Sequence, residues 1–210
     1  MRVWAVIQRK GGAGKSTLAT NLAVIGESKG EVVLLVDVDP QRSTVLWADM
    51  RGGDSPLVVD PLPDHLGNVL VAAKANGVTL AIVDTAAELD AATLATLRTA
   101  DLLICPARPD LFNLAALKDT AALIERTLRT GSAVGVLNGV NESASEAQIA
   151  EGRAVFKSLN LGVCPTPIHH RAAFAVASNK GKSVIEHGKG KAAEEVSKVY
   201  AWLDRRSKEQ

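Results

Sequence analysis

Aromatic side chains are scarce: three Trp, three Phe and one Tyr make up 3% of the 210 residues. Interleaved aromatics are the usual grip on single-stranded nucleic acid, and this chain has too few for it. Cysteine is rarer still. Cys105 and Cys164 stand alone, with neither the spacing of a metal site nor the density of a disulfide framework, and read as reduced core residues of a cytosolic chain. No apolar run approaches the roughly 20 residues that cross a bilayer. The N-terminus opens on a strand pattern rather than on a signal peptide. Charge of one sign is not in excess either, because 24 Lys and Arg against 23 Asp and Glu leave a net charge of +1. A bulk polycation or polyanion is thereby excluded.

The chain is 47% apolar, too hydrophobic and too balanced in charge for disorder. A chain of this length buries roughly 70% of its unfolded surface, enough for a core of its own. Its charge is uneven, however. From His169 to Gln210 nine basic residues face five acidic ones, a local net of +4 on a body of −3. A positive surface near the C-terminal end is therefore available.

Short β-branched runs alternate with helical patterns. Strands are expected at Val3–Ile7, Val32–Val36, Leu57–Val59, Val78–Val83, Leu102–Ile104 and Ala133–Leu137, with a weaker one at Leu161–Cys164. Helices are expected at Leu18–Glu27, Asp64–Ala75, Leu89–Arg98, Leu114–Leu128, Glu146–Ser158 and Lys191–Arg205. In the last of these Ala192, Val196, Val199, Tyr200 and Leu203 share one face. Gly52–Pro56 and Asn138–Ser145 read as loops. Runs written almost wholly in Val and Leu suit parallel strands covered on both faces. The pattern predicts one α/β domain over residues 1–210, a doubly wound and mostly parallel sheet with helices on both faces.

Between the first strand and the first helix lies Lys10-Gly11-Gly12-Ala13-Gly14-Lys15-Ser16-Thr17. Glycines there let successive N–H groups converge on an anion, and the following helix adds its dipole. Lys15 can reach the β- and γ-phosphates of a nucleotide, and the Ser16 hydroxyl can ligate Mg²⁺. The general phosphate-loop pattern wants Gly where Arg9 stands. A second lysine, Lys10, precedes the Gly pair instead. Asp37-Val38-Asp39-Pro40-Gln41 closes the second strand, with two carboxylates on the same side of it. Ligands of open α/β sheets bind beyond the carboxyl ends of the strands, so both would face the nucleotide. Leu80–Val83 is an apolar strand that ends in Asp84, placed to hold Mg²⁺ through water.

Lys-Gly-Gly-x-Gly-Lys-Ser resembles the deviant Walker A motif of the ParA/MinD family of P-loop ATPases, and Asp-x-Asp-Pro-Gln resembles its second signature. The resemblance runs from Lys10 through the final helix and is most like the short, ParF-like partition branch. It implies a fold of the P-loop type and slow, partner-stimulated hydrolysis of ATP with Mg²⁺. It also implies a homodimer in which Lys10 crosses to the partner subunit's nucleotide. By the same resemblance Asp39 orients the attacking water and Asp37 supports the metal-bound waters. After Asp84 and Thr85 the family has Pro, where this chain has Ala86 and Ala87. Cys105-Pro106-Ala107-Arg108-Pro109-Asp110 resembles a family segment that places Pro106 near the nucleotide. It reads equally as a stiff transition into a helix capped by Asp110. Asn138 can read the adenine edge, as in relatives, or simply cap a loop.

Thr166-Pro167-Ile168-His169-His170-Arg171, followed by Asn179-Lys180-Gly181-Lys182-Ser183-Val184, resembles the family's Thr-x-Ile-x-x-Arg segment and the Ser-Val turn beyond it. In the family, basic residues here bind DNA without sequence preference, which marks Arg171, Lys180, Lys182, Lys189 and Lys191. The same lysines also read as an ordinary solvated surface. His169 and His170 lack companions at ligand spacing and read as loop residues. No helix-turn-helix is expected ahead of the first strand, so operator binding is not expected. These features together predict a cytoplasmic, nucleoid-associated positioning ATPase. Its partners would be nonspecific double-stranded DNA and a ParB- or ParG-like cargo adaptor. The alternative is a MinD-like membrane-associated regulator, but Trp202-Leu203-Asp204-Arg205-Arg206-Ser207-Lys208 offers little apolar surface to lipid. A third reading is a biotin-pathway synthetase or a nitrogenase-type iron protein on the same fold, and Cys105 and Cys164 do not match the paired cysteines with which the iron protein bridges its cluster.

Overall fold

The computed structural model describes residues 1–53, 55–88, 90–127 and 130–209, and the backbone alone of Leu111, Phe112 and Thr130. The expected starting point of one helix, Leu89, the expected end of another, Leu128, and Asp54 of an expected loop lie outside the described residues.

The chain alternates strand and helix: β1 (Arg2–Val6), α1 (Lys15–Ser28), β2 (Val33–Asp37), α2 (Ser43–Arg51), β3 (Leu57–Val59), α3 (Leu66–Ala75), β4 (Leu80–Asp84), α4 (Ala91–Thr99), β5 (Leu102–Ala107), α5 (Leu111–Arg126), β6 (Ala133–Val140), α6 (Glu146–Ser158), β7 (Gly162–Val163), β8 (Ile168–His169), α7 (Ala172–Ser178), α8 (Val184–His187) and α9 (Lys191–Lys208). The sheet order is β3-β2-β4-β1-β5-β6-β7, with β8 paired to the end of β6, and each of these pairings is parallel. β1 is central, and the order reverses around it, which puts a ligand-binding crevice at its carboxyl end.

Period-two alternation sorts the buried strand residues into two cores. Val3, Ala5, Leu34, Val36, Ala81, Val83, Leu103 and Cys105 share one core with residues of α3, α4, α5 and α6. Trp4, Val6, Val33, Leu35, Leu80, Ile82, Leu102 and Ile104 share the other with α1, α2, α8 and α9. Burial on both faces explains the nearly unbroken Val and Leu runs. The five α9 residues expected on one face are all buried. Asp110 caps α5 by accepting from the Asn113 N–H at 2.9 Å, and Ser145 with Gln148 forms a capping box on α6.

Several boundaries differ from expectation. α1 begins at Lys15 rather than Leu18, because Gly14 in a left-handed conformation turns the chain directly into the helix. The helix expected from Asp64 is a 3₁₀ turn at Pro63–His65 that leads into α3. β7 keeps only two of the four residues expected. α2 and β8 have no counterpart in the sequence-based expectation. Pro40 and Gln41 signal a turn, and the turn hides the nine-residue helix that follows it.

Candidate functional site

The loop between β1 and α1 is held from below by its flanks. Gln8 is fully buried, donates from Nε2 to the Pro106 carbonyl at 3.3 Å and accepts from the Thr120 hydroxyl at 2.7 Å. That hydroxyl also accepts from the Arg9 N–H at 3.1 Å. Gly14 has φ +86°, and a Cβ on it would lie 2.3 Å from Nδ2 of Asn138. Glycine alone meets both conditions. Asn138 uses that amide to hold the loop, donating to the Ala13 carbonyl at 2.8 Å. Beyond the loop opens a cleft of about 980 Å³, lined by Gly11, Gly12, Gly14, Lys15, Ser16 and Thr17 on one side. Asp39, Pro40 and Gln41, Leu46, Trp47 and Met50 of α2, Ala86 and Ala87, and Ser178 and Asn179 are among the residues of its other walls.

Strand parity aims the carboxylates. Asp37 and Asp84 are register partners at the ends of β2 and β4. Each follows two residues of the core on the α1 side, so both point toward the start of α1. Lys15 is buried in the first turn of α1. Burial lowers its pKa, while the Asp84 and Asp39 charges pull it back up. Asp84 is fully buried, and among the described residues neither carboxylate oxygen has a hydrogen bond of good geometry. Desolvation pushes its pKa up to about 7, opposed by the Ser16 hydroxyl and the Lys15 charge and reinforced by Asp37 and Asp39. An unpartnered buried carboxylate beside a hydroxyl and a phosphate loop is a donor set for a hard cation. The residues therefore fit Mg²⁺, with Ser16 and Asp84 as the groups that would hold it. Bound there, Mg²⁺ would neutralise charge on phosphate oxygens.

Asp37 does something the sequence reading does not anticipate. Its Oδ2 accepts from the Thr44 and Val45 N–H groups at 2.9 and 3.2 Å, and its Oδ1 accepts from the Asp39 N–H at 3.0 Å. The carboxylate shapes the loop that carries Asp39 and caps α2 across the turn. Asp39 is half-buried at the cleft wall and turns the loop itself, accepting from the Gln41 N–H at 2.9 Å. Lys10 is half-buried beside the exposed Gly11 and Gly12. Ala13 is buried beneath the loop.

Pro106 is buried inside β5, and neither it nor Asn138 lines the cleft. The basic residues also divide. Arg171 pairs with Glu195 at 2.8 Å and with Glu142, its side chain only 16% exposed, and Glu195 also accepts from the His169 backbone N–H at 3.0 Å. Its guanidinium pins the β8–α7 junction to α9. Lys180, Lys182, Lys189 and Lys191 are exposed and form no ion pair among the described residues. Sequence reasoning missed Ser178 and Asn179 as cleft residues, because Asn179 reads only as the start of a basic segment and no motif marks Ser178. It also missed Asn21, although a buried polar residue on the Leu18–Leu22–Ile25 face of a helix is a usable signal.

Fold and cleft together define a P-loop nucleotide-binding protein on a doubly wound parallel sheet. The chain belongs to the CobQ/CobB/MinD/ParA nucleotide-binding family, whose model matches residues 4–184. It is 33% identical over 201 residues to the "Maintenance of carboxysome distribution protein A" of Gloeobacter kilaueensis, covering 95% of this chain and 90% of that one. Its fold is similar to that of MinD in the MinC:MinD cell division protein complex of Aquifex aeolicus (TM-score 0.79, 15% identity, 98% and 96% of the two chains). It is also similar to a Cyanothece McdA–ATP complex (TM-score 0.69, 18% identity, 98% and 96%). The chain is accordingly a ParA/MinD-type ATPase, of a family that includes positioning proteins. No helix among the described residues is long and apolar enough to cross a membrane.

Proposed function

We propose that this protein is a dynamic positioning ATPase that reads DNA without sequence preference when it holds ATP. ATP with Mg²⁺ enters the cleft. The N–H groups of residues 11–17 and the Lys15 ammonium take its phosphates, and Ser16 and Asp84 hold the metal. Lys10 reaches the nucleotide of a second copy and closes a sandwich dimer. Asp39 positions the attacking water, at the end of a loop that Asp37 keeps in shape. The dimer binds nonspecific double-stranded DNA through Lys180, Lys182, Lys189 and Lys191. While bound, the dimer is nucleoid-associated in the cytoplasm, and an adaptor protein on a cargo stimulates slow hydrolysis and releases it from the DNA. Its relation to a carboxysome distribution protein makes a protein organelle the first cargo to test, with a plasmid or chromosome origin next.

One observation carries the DNA reading. The segment that supplies Ser178 and Asn179 to the cleft wall continues directly into the exposed Lys180 and Lys182. Nucleotide and polyanion would thus meet two ends of one short segment. Arg171, committed to Glu195 and Glu142, is left out of the interface. A lipid-binding role gains nothing from α9, whose apolar face is buried against the sheet. The test is binding to random-sequence duplex DNA with ADP, with ATP and with ATP plus Mg²⁺ across a salt series. Binding that needs ATP and weakens steeply with salt supports the reading. Absence of binding under every nucleotide, with ATP-dependent dimers intact, overturns it in favour of a lipid or protein surface.

A further inference from the structure

Asn21 lies in the middle of α1 and is 2% exposed, on the face that otherwise buries Leu18, Leu22 and Ile25. A polar group there is costly unless its hydrogen bonds are met. They are met in a particular way. Nδ2 donates to the carbonyl of Thr17, one turn back in α1 where the phosphate loop runs into the helix, at 2.7 Å. Oδ1 accepts from the Ser183 hydroxyl at 2.8 Å and from the Val184 N–H at 2.9 Å. One buried amide therefore joins the phosphate loop to the residue that follows Lys182.

The far side of that segment is fastened as well. The Ser183 N–H donates to Glu186 at 2.8 Å, and Glu186 forms a two-point pair with Arg51 of α2 at 2.8 and 2.9 Å. Arg51 also donates to the Gly181 carbonyl at 2.9 Å, and the Trp47 indole N–H donates to the Lys182 carbonyl at 3.4 Å. Gly181 has φ +61°, and a Cβ on it would lie 2.2 Å from the Arg51 backbone nitrogen, so loop and helix meet backbone to backbone. α2 in turn begins at the Asp37 cap beside Asp39. The backbone under Lys180 and Lys182 is thus referenced at one end to the first turn of α1 and at the other to the loop of Asp39.

We propose that Asn21 is a positioning residue that ties the basic segment 178–183 to the phosphate loop, so that the nucleotide in the cleft sets how Lys180 and Lys182 are presented. This rests on the DNA reading for its consequence but not for its contact geometry, and the two can be tested apart. The direct measurement is hydrogen exchange of the amides of residues 179–184, without nucleotide, with ADP and with a non-hydrolysable ATP analogue plus Mg²⁺. Duplex-DNA affinity is measured in parallel. Asn21→Ala removes the tie. Ser183→Ala removes one strand of it and serves if the first variant does not fold.

In the unsubstituted protein the ATP analogue should raise protection across residues 179–184 about tenfold over ADP. In either variant nucleotide affinity should stay within about threefold, while that nucleotide-dependent step disappears and DNA affinity with ATP falls about tenfold. A purely structural role would lower protection equally in every nucleotide state and keep the step, and that result overturns the proposal. Equal exchange with ADP and with the ATP analogue in the unsubstituted protein overturns it too. A step that is present there and lost in the variants, with no DNA binding in any state, supports the tie and refutes the DNA reading alone.

Discussion

Asp37 offers the sharpest test of how the site is built, because its position suits a metal-binding role while its contacts serve the backbone. Its carboxylate, 2% exposed, accepts from three N–H groups: two at the start of α2 and one at Asp39. Asp37→Ala leaves these donors without their partner. Loss of a helix N-cap costs about 1 kcal/mol, with a range to about 2. Leaving further buried donors unmet adds about 1–2 kcal/mol, at the lower end for the half-buried Asp39. Together the loss is about 3 kcal/mol, a fall in Tm of roughly 6–12 °C for a domain of this size. Asp37→Asn keeps a carbonyl acceptor and should lose about half as much. The assay is urea unfolding in the presence of a chelator, with neither nucleotide nor Mg²⁺, followed by Mg²⁺ titration of each variant with ATP bound. A loss below about 1 kcal/mol without metal, together with a collapse of Mg²⁺ affinity, would refute the reasoning and return Asp37 to the cation.

Three further outcomes are expected. Lys10→Ala should bind ATP and stay monomeric where the unsubstituted protein dimerises, and an unchanged dimer fraction in light scattering removes Lys10 from the interface. Asp39→Ala should bind ATP within about threefold of normal and lose at least tenfold in turnover, so normal turnover excludes it from water positioning. Without metal or nucleotide, the contribution of Asp84 to stability should fall as pH rises from about 4 to about 7. Burial raises the Asp84 pKa from 3.8 to about 7, so the folded state holds a proton that the unfolded state has released across that window. Asp84→Asn should flatten that slope in urea unfolding at pH 5 and pH 8, and an unchanged slope assigns the effect to other groups.

How much of this was legible in the sequence depends on whether a signal is local. The central strands were legible because β1, β2, β4, β5 and β6 are written in residues buried on both faces, and parity then decides which core each residue enters. The same parity carried Asp37 and Asp84 to the α1 side, so their convergence followed from counting. α2 was not legible. Its start is defined by Asp37, six residues before the helix begins, rather than by a capping residue next to it. The fate of Arg171 was not legible either. It stands at a position where the family resemblance expects a DNA contact, yet Glu195 lies 24 residues away in sequence and only the fold brings the two within 2.8 Å. Lys180 and Lys182 show the converse. Their exposure is ordinary, and nothing near them in sequence links them to a nucleotide. The link comes from Asn21, over 150 residues upstream, and from Arg51, through bonds between elements that pack only after the sheet has formed. Motifs therefore marked groups that gather around the cleft at the strand ends. The groups that decide what the nucleotide state means to the rest of the molecule lie where α1, α2 and the 178–183 segment meet.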